Sequence, residues 1–462
     1  MKSHALFGAA SAALLLSTVA AVACSSTGSA AGSAGAQGGG PAADPAAAKS
    51  SVARTPLSAV PASALNAAVT ANNAFAVDLY AHVLQQGGTN VLTSPLSASF
   101  ALMMTYAGAN GATKTEMATA LHLDPNAGDA AFVGQNALSQ ALDGRAAAAL
   151  AQAKLHANPN APPLDSDYQL QVLNSVWGEK TYTWNQPFLD ILAANYGTGV
   201  YQQDFINDFD KARLTINDWV ETHTGDKIKN LLSPGSLDQH TRIVLVNAIH
   251  LKLPWDTAFV PEETISGDFV RADSSKVSTS FMNQIDDFGY VDDGQAQVVS
   301  LPLSNRELSI VIALPHEGVT LAQYEATLTT SSAPFVSFSA SELVRLSLPK
   351  TTFTSNTFSL RTALQQMGMQ LAFADGSDFS GLCTPADVYV SDVLQKTTIS
   401  MGEQIVEAAA ATGVIGSGGS SAGPTPVLMN VNRPYLVSII DNPTGAVLML
   451  GHIQDPSDAG SP

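Results

Sequence analysis

Cysteine is almost missing from the chain: Cys24 and Cys383 are the only two in 462 residues. At most one disulfide can form, so a framework of cross-links is excluded and buried apolar surface must hold the fold. Charge is scarce too, at 13% of residues against 45% hydrophobic, and positive charge is scarcest, with 21 Lys+Arg facing 39 Asp+Glu. A polyphosphate partner would be repelled over most of such a surface, which sets nucleic acid aside. Nine histidines are scattered, and His316-Glu317 lacks the second histidine four residues after the first that a zinc-binding helix needs. No metal or other cofactor is expected. The length allows a large core without deciding between one domain and two or three.

Residues 1–23 carry Lys2, an apolar centre through Leu14-Leu15-Leu16 and the small residues Ala21-Val22-Ala23, the layout of an export signal peptide. The run is too short and too weakly apolar for a mature spanning helix. Ala21-Val22-Ala23-Cys24-Ser25 resembles a bacterial lipobox. That resemblance implies a lipid on Cys24 and anchorage to the cell envelope or surface; ordinary cleavage near Ala23, giving a secreted protein, is the alternative. With Cys24 lipidated, Cys383 has no partner and reads as a small buried hydrophobe. Residues 24–65, rich in Ala, Gly, Ser and Pro, are expected to be a disordered tether, and 457–462 a disordered tail.

Between them, periodicity places an amphipathic helix on Phe75, Leu79 and Val83, and a buried helix opening at Ser94-Pro95. Thr113 and Glu116 have the spacing of a capping box, and an Ala-rich helix is expected from about Ala130 to Ala157. Ile243 to Leu253 is a long, mainly apolar run, as in a central strand covered on both faces. Val388 to Ile405 reads as one long strand. Val427–Val431, Tyr435–Ile440 and Ala446–Leu450 follow as three strands separated by turn residues.

Between these last strands and Val388–Ile405 lies Glu403-Gln404-Ile405-Val406-Glu407-Ala408-Ala409-Ala410-Ala411-Thr412, then a Gly/Ser-rich run through Gly419, Ser420, Ser421 and Ala422. Drawn out as a strand with Glu407 outward, it would turn Val406, Ala408, Ala410 and Thr412 to the opposite face, small enough to enter a sheet without overpacking it. Read alone, the alanines equally suit a short helix running into a linker.

The stretch resembles the reactive-loop hinge of a serpin, and other motifs occur in that family's order over roughly residues 66–456. They are Asn90-Val91-Leu92-Thr93-Ser94-Pro95-Leu96-Ser97, Leu245-Val246-Asn247-Ala248-Ile249 with Trp255, Leu348-Pro349-Lys350, Asp378-Phe379-Ser380-Gly381 and Asn432-Arg433-Pro434-Tyr435. The resemblance implies an α+β fold: a large central, mostly antiparallel sheet, smaller sheets, about eight to nine helices and an exposed loop at about 403–426. It places Ser94, Ser97, Asn247 and Gln395 in the shutter, where the middle strands part. Trp255, Lys350 and Glu403 fall in the breach, where insertion begins. Two departures stand out: Gln395 replaces the usual histidine, and Ile405 a common glycine, with a β-branched side chain that stiffens the backbone.

The implied activity is inhibition of serine endopeptidases: the target cuts the loop, forms its acyl-enzyme and is carried off covalently as the loop enters the sheet. Ile405 and Gln395 favour the alternative, a non-inhibitory binding protein of the same fold at the cell surface. Family spacing from Glu403 puts the scissile bond near Gly419-Ser420, and counting back from Asn432 puts it a few residues later. No Lys, Arg or aromatic residue lies between Gly413 and Pro426, which points to elastase-like or subtilisin-like targets with a small primary pocket. Gly419-Ser420-Ser421-Ala422-Gly423 matches a hydrolase G-x-S-x-G, but prolines rather than a helix follow it, so no enzyme is expected. A monomer is expected.

Overall fold

A computed structural model describes residues 44–156, 168–226, 228–335, 338, 341–403 and 425–460. Nine α-helices and nineteen strands occur among the described residues. The N-terminal part holds β1 (Ala47–Ala48), α1 (Ala62–Leu84), β2 (Val91–Thr93), α2 (Pro95–Tyr106), α3 (Gly111–Ala120), α4 (Ala130–Asp143) and α5 (Arg145–His156). Next come β3 (Gln169–Glu179), β4 (Thr183–Trp184), α6 (Gln186–Tyr196), β5 (Val200–Gln203), α7 (Phe205–His223) and β6 (Ile243–Lys252). The middle is mostly strand: β7 (Ile265–Val270), β8 (Lys276–Asp292), β9 (Ala296–Pro302), β10 (Leu308–Pro315), then α8 (Leu321–Glu325), β11 (Ser341–Pro349), β12 (Thr351–Thr354) and β13 (Phe358–Ser359). After α9 (Arg361–Gln366) come β14 (Cys383–Thr384), β15 (Val393–Lys396), β16 (Thr398–Met401), β17 (Val427–Asn430), β18 (Tyr435–Asp441) and β19 (Ala446–Ile453).

Two sheets dominate. One runs β1-β5-β3-β6-β15-β13; the other runs β17-β11-β8-β9-β10-β18-β19-β2, with β7 beside β8, and is antiparallel except at β11/β17. In the first, β6 pairs antiparallel with β3 but parallel with β15. Alternation along β6 divides its apolar side chains between two cores. Val244 and Val246 join Trp177 in the cluster with Phe205, Ile216 and Val220 of α7, while Ile243 and Leu245 join the core that holds Ala98, Ala101 and Leu102 of α2. α2 is buried on every side, its start set by Pro95 at the first turn and Ser94 as the cap.

Several expected elements come out differently. The tether expected through residue 65 is structured from Asp44 onward, where its backbone and a few polar side chains find partners despite the poor hydrophobic content. β1 adds an antiparallel strand beside β5, Thr55 N donates to Ala194 O at 2.8 Å, and Arg54 donates to Asn136 Oδ1 at 2.9 Å and Ser139 Oγ at 3.0 Å on α4. Gly199 makes room for this arm: a Cβ there would lie 2.2 Å from Ala48 O. The tail is likewise paired as far as Gly460, with Thr354 N donating to Ala459 O at 2.9 Å.

The expected Ala130–Ala157 helix is broken at Gly144, which ends α4 before α5 starts. The described part of the expected Val388–Ile405 strand, through Glu403, holds two short strands; Leu360 N donates to Val393 O, and only from there does β15 begin. Thr113 and Glu116 form no capping box. Asp378 N donates to Thr113 Oγ1, and Gln370 N and Leu371 N donate to Glu116, so both side chains cap neighbouring segments instead.

Candidate functional site

The place where β6 meets β15 is only partly closed. Their parallel pairing covers four residue pairs, from Val393 opposite Leu245 to Lys396 opposite Ala248. Beyond it, β6 stays with β3 through Gln169 opposite Lys252, while β16 leaves with β12 through Thr354 opposite Thr398 and Thr351 opposite Met401. The sheet therefore splits into two edges with unpaired backbone groups, a ready template for another strand.

A buried polar cluster holds the closed part. Thr93, Ser94, Ser97, Asn247 and Gln395 are each fully buried. Gln395 sits opposite Asn247 in the ladder and uses its whole amide. Oε1 accepts from Thr93 Oγ1 at 2.7 Å and Ser94 N at 2.9 Å; Nε2 donates to Ser94 O at 2.9 Å and Asn247 Oδ1 at 3.0 Å. Ser94 Oγ donates onward to Leu448 O at 2.9 Å. An imidazole has only two ring nitrogens, so the amide that stands in the histidine position ties more groups together than a histidine would. Ser97 is joined indirectly: its Oγ lies 3.3 Å from the amide of Asn174 on β3, which in turn is 3.4 Å from Asn247 Nδ2. Sequence reasoning missed Thr93 and Asn174, although Asn174 alternates into the same face as Val172 and Val176. Lys396, beside Gln395, donates to Lys229 O at 3.0 Å, and burial pulls its pKa down.

At the mouth of the split stand the three breach residues. Trp255 Nε1 donates to Gly402 O at 2.8 Å, and Lys350 Nζ lies 2.8 Å from Glu403 Oε2. Thr264 Oγ1 donates to Glu403 Oε1 at 2.9 Å, and Phe259 N to Glu403 O at 3.0 Å, two contacts the sequence reading lacked. Burial works to raise the Glu403 carboxyl, but the hydrogen bonds from Lys350 and Thr264 outweigh it and hold the group below the usual carboxylate range. The pair is half open, with Lys350 43% and Glu403 15% exposed, so its net worth is below about 1 kcal/mol.

α7 lies against the face of this sheet and is anchored by a fully buried carboxylate. Glu179, at the end of β3, accepts from Phe205 N at 2.8 Å and Ile206 N at 3.2 Å in the first turn of α7, and from Thr181 N and Oγ1 at 3.0 Å. On the far side, β17 starts at Val427 and pairs in parallel with β11, and Arg433 donates to Pro315 O at 2.7 and 3.0 Å. Both ends of the 404–424 segment are thus tied to sheets.

The hinge residues Ile405, Val406, Glu407, Ala408, Ala409, Ala410, Ala411 and Thr412, the scissile-bond candidates Gly419, Ser420, Ser421 and Ala422, and the lipidation candidate Cys24 lie outside the described residues. Cys383 is buried, and burial, aided by Asp387, pushes its thiol up to about 12, which suits a packing role. No helix among the described residues is long and apolar enough to cross a membrane.

Residues 70–456 match the family model described as Serpin (serine protease inhibitor). Human Serpin B3 is 30% identical over 403 residues, spanning 85% of this chain and all of that protein. The leukocyte elastase inhibitor of Bos taurus is 30% identical over 396 residues, spanning 84% of this chain and 98% of that one. Human thyroxine-binding globulin complexed with its hormone superposes with a TM-score of 0.69 at 25% identity, covering 85% and 99% of the two chains. Tengpin, a thermophilic serpin in its native state, gives 0.71 at 24% identity, covering 89% and 100%. With the split sheet, the shutter cluster and the breach pair already in place, the family match over most of the chain settles its membership: this protein is a serpin.

Proposed function

We propose that this serpin inhibits serine endopeptidases by offering the 404–424 segment as a bait loop, forming an acyl-enzyme at the cut and drawing the severed strand between β6 and β16. The observation that carries the proposal is the split sheet: the edges of β6 and β16 part beyond Ala248 and Lys396, and β16 leads the chain directly to Glu403. Strand addition at such an edge places about a dozen backbone groups in ladder bonds worth roughly 0.5 to 1.5 kcal/mol each, which drives insertion from a metastable native state. The loop lacks Lys, Arg and aromatic residues between Gly413 and Pro426, so the targets are elastase-like or subtilisin-like proteases. The relatedness to leukocyte elastase inhibitors supports that choice. The protein acts as an exported monomer, lipid-anchored through Cys24 at the cell envelope.

Incubation with pancreatic elastase and with subtilisin tests the reading. A complex that survives SDS, with the loop cut between about Gly419 and Ala422, is the expected result. A trapped bond after a basic residue would refute the specificity. Ile405 favours a second reading, a non-inhibitory carrier of the kind thyroxine-binding globulin exemplifies. Cleavage with free release of the protease and no rise in melting temperature would establish that reading instead.

A further inference from the structure

A second site lies far from the split sheet, between α1 and the turn that leads into α4. There Ala64, Ala67, Ala68 and Ala71 of α1 face Leu123 and Ala131 across a cavity of about 560 Å³. That volume lies within the range of small-molecule sites, roughly 300 to 1,000 Å³. Side chains this small leave the space unfilled while α1 and α4 touch beside it: a Cβ on Gly134 would lie 2.3 Å from Ala64 O.

Gln135 of α4 lines this cavity, only 2% exposed, and its Oε1 is buried without a hydrogen-bond partner. The contrast with the next residue is sharp. Asn136 accepts from Arg54 Nε and Gln140 Nε2 and donates to Thr55 O, so its amide is satisfied from within the protein. A buried acceptor left without a donor is costly and uncommon in native structures, and it becomes favourable once a ligand supplies the missing N–H or O–H.

The rim decides the charge of that ligand. His122 Nε2 lies 3.0 Å from Asp78 Oδ2, and Asp124 Oδ1 accepts from Asn126 N at 2.8 Å; neither Lys nor Arg lines the cavity. An anion would meet the Asp124 carboxylate, and His122, the one basic side chain of the lining, already faces Asp78. We propose that this alanine-walled cavity binds a neutral, largely apolar molecule bearing a hydroxyl group, an alcohol of the long-chain or polycyclic kind, with the hydroxyl donating to Gln135 Oε1.

The test uses the full chain and 1-decanol as probe, with decanoate and decylamine as matched charged arms. Native mass spectrometry at neutral pH is expected to show one 1-decanol per chain, and thermal denaturation a rising midpoint with alcohol concentration. The carboxylate is expected to do neither. Gln135→Leu, which removes the unpaired amide without opening a hole, is expected to fold and to weaken 1-decanol about three- to tenfold, the loss of one neutral hydrogen bond. Ala67→Trp, at an exposed position of α1, is expected to fill the cavity and abolish binding while leaving the unliganded melt unchanged. Failure of 1-decanol to bind, equal or tighter binding of decanoate or decylamine, or affinity untouched by both substitutions would overturn the proposal. None of these readouts depends on protease inhibition.

Discussion

Replacing Gln395 by leucine asks how much of the native state rests on one amide. The substitution keeps most of the volume and removes all four hydrogen bonds at once. Ser94 O keeps a partner, since Ala98 N also donates to it, and the Thr93 hydroxyl can rotate. Ser94 N–H and Asn247 Oδ1 lose their Gln395 partner at a place where Thr93, Ser94 and Asn247 are all fully buried. At about 1 to 3 kcal/mol for each orphaned group, the expected loss is about 2 to 6 kcal/mol. The assay is the first unfolding transition in urea, followed by circular dichroism and by the rate of unfolding, because a metastable chain is described by rates as much as by equilibria. Gln395→His should lose less, since imidazole retains part of the bonding, and should make the transition depend on pH near neutrality, which the wild type lacks at this position. A Gln395→Leu protein that unfolds within about 1 kcal/mol of wild type would show that the cluster is not what keeps β6 and β15 together.

Three further outcomes are expected. Glu403→Gln should cost less than about 1 kcal/mol at neutral pH; because the Glu403 carboxyl is held below the usual range, its contribution is present above the unfolded pKa and fades as pH falls through the folded one, so the variant should flatten the acid side of a melting-temperature profile. Gly199→Ala should dislodge the arm at residues 47–48 and lower the melting temperature, and limited proteolysis should then cut near Lys49; an unchanged digestion pattern would mean the arm is not seated by that contact. Ile405→Gly should raise the fraction of protease trapped per loop cut, read as a lower ratio of inhibitor consumed to complex formed, if hinge stiffness slows insertion.

How much of this was legible beforehand differs by residue. Ser94, Asn247, Gln395, Lys350, Glu403 and Trp255 were singled out by motif order, and the structure brings them into two groups, one around Gln395 and one beside Glu403. Thr93, Asn174 and Thr264 were not assigned to either group, because their role depends on which distant segment lies opposite, and only alternation into a shared face hinted at Asn174. The arm at residues 44–57 escaped because an Ala, Ser and Pro composition predicts little burial; what orders it is backbone pairing at a sheet edge plus a few polar side chains, Asp44, Ser50 and Arg54, that carry no pattern. Thr113 and Glu116 had the right spacing for a cap, yet local spacing says nothing of the Asp378 and Gln370 amides that reach them from elsewhere. Ser97 looked like a direct member of the cluster, but helical geometry turns it toward β3.

β18 lies between β10 and β19 in the middle of its sheet, with every residue of both C-terminal strands buried. Both strands follow β2 and β10 in the chain, so those earlier strands leave the ribosome with a gap between them that β18 and β19 fill only later. Growth from the ribosome therefore cannot lay this sheet down strand by strand, and its closing act awaits two strands that emerge after their neighbours.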